Sequence, residues 1–124
     1  MSYNFNWSIV SGGAPYVTIA SLGISFNSAA VSKLGNPEQI IVGFDEDRFV
    51  LGIKAYSGEP SKPYEFASRV RNGWIRIGCK DFVSYLERLT NMDFSTAKRF
   101  IAETDVESGV LVVDVGRGAT NEKE

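Results

Sequence analysis

The sequence contains no histidine. That absence removes the Ser-His and Cys-His nucleophile arrangements and every zinc site that needs an imidazole. Cysteine is nearly missing too. With Cys79 alone, the chain can form neither an internal disulfide nor a thiolate metal site, and a reducing compartment, the cytoplasm, is expected. Net charge is small, since 13 Lys and Arg stand against 15 Asp and Glu. Such a balance argues against coating nucleic acid through bulk charge, while leaving room for a local basic face. No apolar run reaches the length of a membrane span, so no membrane partner is expected. Met1 to Trp7 lacks the basic-then-apolar order of a secretory leader. The chemistry still open is carboxylate acid–base work or a hard cation held by oxygens.

What is present suits one compact domain: 124 residues with 44% apolar content, enough for a core without staples. One stretch is written twice. Gly23 to Leu34 and Trp74 to Leu86 each run from a short alternating segment into an amphipathic one. Ile24, Phe26 and Val31 fall on Ile75, Ile77 and Phe82 at a constant offset. A repeat sets the architecture before any residue has a role.

The chain order supports the same reading. Residues 3–10 alternate loosely, with Tyr3, Phe5 and Trp7 on one face, and are expected as a strand ended by Ser11-Gly12-Gly13. Tyr16 to Ile19 and Ile24 to Phe26 are short β-rich strands. Asn27 or Ser28 can cap a helix whose apolar face is Ala30, Val31 and Leu34 and which ends at Gly35. Two β-branched runs, 39–44 and 49–53, flank Asp45-Glu46-Asp47 and read as a hairpin. Gly58, Pro60 and Pro63 mark 57–63 as a linker. Tyr64, Phe66 and Val70 form one arm and Trp74, Ile75 and Ile77 the other of a hairpin turned by Asn72-Gly73, a dipeptide whose residues tolerate positive φ. A helix follows at 79–90, with Phe82, Leu86 and Leu89 on one face and Tyr85 beside them. Residues 94–104 read as a short helical start running into a strand. Val110 to Val115 is a pure β run, and 116–124 a polar tail.

The expected fold is therefore α+β and mostly antiparallel β. It is a single domain over 1–124, with quasi-repeats at about 14–56 and 64–115 around the linker. Neither unit could bury its sheet face alone, so the two are expected to close one barrel-like pseudo-dimer core.

Residues 24–54 resemble the DNA-binding domain of AbrB/SpoVT/MazE-type regulators. In that family a short strand leads into a helix ending in Leu-Gly, and a hairpin with an acidic or glycine turn follows. The matching segments are Ile24-Ser25-Phe26-Asn27, Ala29 to Gly35, Gln39 to Val42 with Asp45, and Phe49 to Lys54. The resemblance implies a swapped-hairpin fold, here supplied twice by one chain, and a DNA-binding transcriptional regulator. The family's basic residue and proline are replaced by Ser25 to Ser28, and its DNA-contacting arginines lack counterparts in the first unit. The chain as a whole also resembles small bacterial and phage proteins, a likeness that implies no activity.

Lys62, Arg69, Arg71, Arg76 and Lys80 crowd the approach to the second unit, with only Glu65 opposing. Arg69 and Arg71, two apart, would share a strand face, and Arg76 on the partner strand would join them. Such a stripe can neutralise phosphates, with Tyr64 and Trp74 placed to stack on bases if exposed. The plainer reading is a solvated hairpin face. Asp45-Glu46-Asp47 lacks the alternating ligands of a cation loop, so a charged hairpin tip is expected, as at Asp105 and Glu107. Ser11-Gly12-Gly13 lacks the lysine and helix of a phosphate loop. Cys79, at a helix start beside Lys80, is better read as a small buried residue than as a reactive thiolate. The leading expectation is a non-enzymatic binding protein with no cofactor, taking double-stranded DNA as a monomer or homodimer. The alternative is a protein-interaction or structural module, antitoxin-like or phage accessory, that binds a protein partner.

Overall fold

The computed structural model describes residues 14–105 and 107–117. The strand expected at 3–10, Ser11-Gly12-Gly13 and most of the polar tail lie outside the described residues.

Among the described residues, ten short strands form two five-stranded antiparallel sheets. The elements in chain order are β1 (Tyr16–Ala20), β2 (Gly23–Phe26), α1 (Ser28–Leu34), β3 (Gln39–Asp45), β4 (Val50–Ala55), β5 (Tyr64–Glu65), β6 (Val70–Arg71), β7 (Trp74–Gly78), α2 (Lys80–Thr90), β8 (Lys98–Ile101), β9 (Glu103–Thr104) and β10 (Leu111–Asp114). The first sheet has the order β6-β7-β2-β1-β8, and the second β5-β3-β4-β10-β9. The α+β, mostly antiparallel expectation is met.

A closed barrel is not. The chain passes between the sheets three times, once through α1 from β2 to β3 and twice by short crossings, from β8 to β9 and from β5 to β6, where the backbone itself joins them. At the first of these short crossings, buried Ala102 separates β8 from β9, and its N–H still extends the β1 ladder by donating to the Pro15 carbonyl (3.0 Å). At the second, Phe66 and a 3-10 turn at Ala67–Arg69 separate β5 from β6. Phe66 is fully buried, its ring set edge-on against Phe26 with centroids 5.2 Å apart. That anchor explains why the expected continuous arm from Tyr64 to Val70 is broken. The backbone must turn to bury Phe66 between the layers and then resume pairing in the other sheet.

Strand alternation fills the space between the sheets. Val17, Ile19, Ile24, Phe26, Ile75, Ile77 and Phe100 project inward from the first sheet, and Ile40, Leu51, Ile53, Leu111 and Val113 from the second. Both helices add to this core. α1 contributes Ala30 and Val31, while α2 contributes Val83 and Leu86, with Phe82 and Leu89 only partly buried. The α2 stripe is therefore rotated from the expected Phe82–Leu86–Leu89 face toward Val83. No polar or charged residue is buried among the described residues.

Local signals account for the ends of the elements. Asn27 caps α1, its Oδ1 accepting from the Ala30 N–H at 2.9 Å, and Gly35 ends the helix at φ 81. Asn72 (φ 56) and Gly73 (φ 82) turn the β6–β7 hairpin. The expected helical start at 94–97 is absent. Asp93 instead accepts from the Ser95 N–H (2.9 Å), and Phe94 is buried from an irregular segment.

At the centre of the first sheet, β2 and β7 pair with Gly23 opposite Gly78, Ile24 opposite Ile77, Ser25 opposite Arg76 and Phe26 opposite Ile75. A Cβ on Gly23 would overlap the Ile77 carbonyl oxygen, whereas one on Gly78 would meet nothing within 4 Å. Gly23→Ala is therefore expected to cost about 1–3 kcal/mol or more in chemical denaturation, and Gly78→Ala about 0.5 kcal/mol or less. Equal costs at the two positions would contradict this register.

Candidate nucleic-acid interface

The total charge hides a division between the sheets. The strands of the first sheet carry Arg71, Arg76, Lys98 and Arg99 and no acidic residue. The strands of the second carry Asp45, Glu65, Glu103 and Asp114 against Lys54 alone. A nearly neutral chain thus presents one basic sheet and one acidic sheet.

On the outer face of the first sheet, register builds a row. Arg76 lies opposite Ser25, Ser25 opposite Thr18, and Thr18 opposite Arg99. A second row runs beside it. Arg71 pairs with Trp74, Asn27 extends β2 by one step, and Tyr16 lies opposite Ile101. Residues facing outward alternate with the core, so Trp74 and Arg76 point away from Ile75 and Ile77. Trp74 keeps 47% of its surface exposed. The Arg99 guanidinium carbon lies 3.9 Å from the centroid of the Tyr16 ring, a cation–π contact that ties the two side chains together. The Arg71 guanidinium donates to the Val70 carbonyl (2.9 Å), which fixes it at the hairpin.

The five cations expected from sequence are all exposed, but they do not form one stripe. Arg71 and Arg76 share the outer face with Trp74. Arg69 belongs to the 3-10 turn rather than to a strand, so its two-residue spacing from Arg71 does not place them on one face. Lys80 begins α2 beyond the far end of β7, and Lys62 lies in the loop before β5, a second-sheet strand. Tyr64 is half-buried on β5, a strand of the second sheet and so away from the basic face; burial first, and then Cys79 and Asp81, raise its hydroxyl pKa. Sequence reading missed Arg99, Tyr16, Thr18 and Ser25. Their grouping depends on pairing between β1, β2 and β8, and the one local hint was the alternation around Phe100.

The carboxylates of the hairpin tip serve the turn. Asp45 accepts from the N–H groups of Asp47 (3.0 Å) and Arg48 (3.1 Å) and pairs with the Arg48 guanidinium (3.1 Å). The Arg48 N–H, then its guanidinium, hold the Asp45 carboxyl below its ordinary range. Tyr85 donates to Glu46 at 2.8 Å, fastening α2 to the tip. Asp105 accepts from the Ser108 hydroxyl (2.6 Å) within its own turn. No group of three or more potential ligands able to hold a metal ion occurs among the described residues. No helix among them is long and apolar enough to cross a membrane. Compared with known proteins, the chain matches no family model, no curated protein and no solved structure.

Cys79 is buried at the start of α2, and burial pushes its thiol up to about 11. The helix dipole does not activate it. Because the folded-state value lies above that of an unfolded thiol, this group supports the fold below the unfolded value. That support is lost as pH rises through about 11. Native protein at neutral pH is expected to react with a thiol reagent far more slowly than denatured protein, and Cys79→Ala to lessen the alkaline loss of stability. Rapid stoichiometric labelling of the native protein would contradict both.

Proposed function

We propose that this is a non-enzymatic nucleic-acid-binding protein, with DNA as its ligand, that works through the outer face of the first sheet. The carrying observation is the division of charge: every charged residue on that sheet's described strands is basic, and every one but Lys54 on the other sheet is acidic. A polyanion is drawn to one side of the molecule and repelled from the other. Arg71, Arg76 and Arg99 would grip phosphates, for which the planar guanidinium fork is suited, and Arg69 stands at the margin. Lys62 and Lys80 contribute long-range attraction at most.

The same reading takes the chain as an internally duplicated relative of the AbrB-type swapped-hairpin regulators. Four features support it. A strand of each unit, β2 and β7, lie side by side and antiparallel with Ser25 opposite Arg76, residues that correspond in the repeat. Each is flanked by its own hairpin partner, β1 or β6. Each leads into a helix. The later hairpin strands β4 and β10 also meet antiparallel, Leu111 opposite Ile53 and Val113 opposite Leu51.

Contact through three arginines is weak by nature. Binding to DNA is expected in the micromolar range at low salt, with a log–log salt slope of roughly −2 to −3. Arg71→Glu combined with Arg76→Glu is expected to abolish it in an anisotropy titration, while leaving the melting transition in place. Unchanged binding by that double variant, or no binding of any nucleic acid, would sink the proposal.

A further inference from the structure

We infer that the strand form taken by this face is single-stranded nucleic acid, bound by stacking its bases across the first sheet; this rests on the function proposed above. The shape of the face argues first. Five strands at the usual spacing of about 4.8 Å span roughly 19 Å, wider than the roughly 12 Å major groove that admits a helix or a two-stranded ribbon. A duplex would meet this sheet only at its phosphates. Trp74, half-exposed in the middle of the basic surface, would then be pressed against sugar and phosphate with nothing apolar to cover it.

An unpaired strand offers what the duplex withholds, the flat faces of its bases. Two planar groups lie across this face. One is the Trp74 indole. The other is the Arg99–Tyr16 pair, whose guanidinium carbon lies 3.9 Å from the ring centroid. Bases stack on guanidinium planes as well as on rings. β7 and β1 are separated only by β2, so the two platforms stand about two strand spacings apart, roughly 10 Å. The side chain between them, Asn27, is already committed: its Oδ1 accepts from the N–H groups of Tyr16 (3.0 Å) and Ala30 (2.9 Å), and its Nδ2 donates to the Ala14 carbonyl (2.9 Å). It therefore leaves the span between the platforms without a competing polar reader. Arg76 and Arg71, on β7 and its hairpin partner β6, flank Trp74 and sit where the backbone of a stacked strand would pass. Ser25 and Thr18 supply small hydroxyls in the neighbouring row, between Arg76 and Arg99. Nothing in this arrangement reads a base edge, so sequence preference is expected to be slight.

The test compares fluorescently labelled oligo(dT), oligo(U) and a mixed-sequence DNA duplex of equal length, by anisotropy with the full chain at low salt. Either single strand is expected to bind at least about tenfold more tightly than the duplex, and binding is expected to quench the indole emission of Trp74. Trp74→Ala is expected to weaken single-strand binding about fivefold or more, and Trp74→Phe to restore most of it. Duplex binding equal to or tighter than both single strands would overturn this inference and leave the proposed function standing. Failure to bind any of the three would overturn both. Single-strand preference untouched by Trp74→Ala, in a variant whose circular dichroism matches the parent, would also overturn the stacking account.

Discussion

Ile24 faces Ile77 and Phe26 faces Ile75 where β2 pairs with β7, and most of the molecule hangs on that register. The pair joins the first half of the chain to the second at the centre of the first sheet. It puts four large apolar side chains inward together, and by the same alternation it puts Ser25 and Arg76 outward together. Gly23 is what lets the two backbones approach, because any side chain there would strike the Ile77 carbonyl. A slip of one residue would drive Arg76 into the core and Ile75 into water. Among the described residues the core holds no buried polar residue that could receive a charge, so that slip is strongly disfavoured.

A core in which no described polar or charged residue is buried also explains the surface. With every charge of the described residues expelled from between the layers, the outer faces, helices and loops receive them, and the strands of the two sheets carry the signs unequally. The edges are handled differently: β5, β6 and β9 are two residues each, and chain crossings at Phe66 and Ala102 tie one sheet to the other. Short edge strands leave little backbone for unwanted pairing. The hairpin tip at Asp45 is likewise closed by its own carboxylate and by the Tyr85–Glu46 hydrogen bond, so its acidic residues are structural. Two open depressions, one lined by Glu38, Glu65, Ala67 and Ser68 and the other by Glu103, Thr104, Asp105, Glu107 and Val112, carry acidic residues and no basic one.

Much of the fold was legible where the governing chemistry is local. Asn72-Gly73 marks its turn because both residues accept positive φ, Asn27 caps α1 with its own side chain, and Gly35 ends it. The hairpin of β3 and β4 follows from β-branched runs around Asp45. Elements set by distant partners were not legible. Tyr64 to Val70 looks like one strand until Phe66 is seen to need a place against Phe26. Phe94 has helical spacing with Ala97 and Ile101, yet it is buried from an irregular segment before β8. For the interface, Arg71, Arg76 and Trp74 stand close in sequence and were visible. Arg99 and Tyr16 join them only through the β1–β8 ladder, a long-range pairing that no local pattern announces. Conversely, Lys62 and Lys80 are near in sequence but lie off the face, since the chain changes sheet between Lys62 and β6 and enters α2 at Lys80.

The central claim is that one face of this two-sheet protein, and not the other, receives nucleic acid. The most direct measurement is a nitrogen-15 NMR titration of the labelled chain with a short single-stranded oligonucleotide at low salt. The account predicts that the shifted amides gather on β1, β2, β7 and β8, with the Trp74 indole N–H among the largest changes and the β3, β4 and β10 amides still. Shifts centred on β3, β4 and β10, or an unchanged spectrum at saturating oligonucleotide, would contradict it.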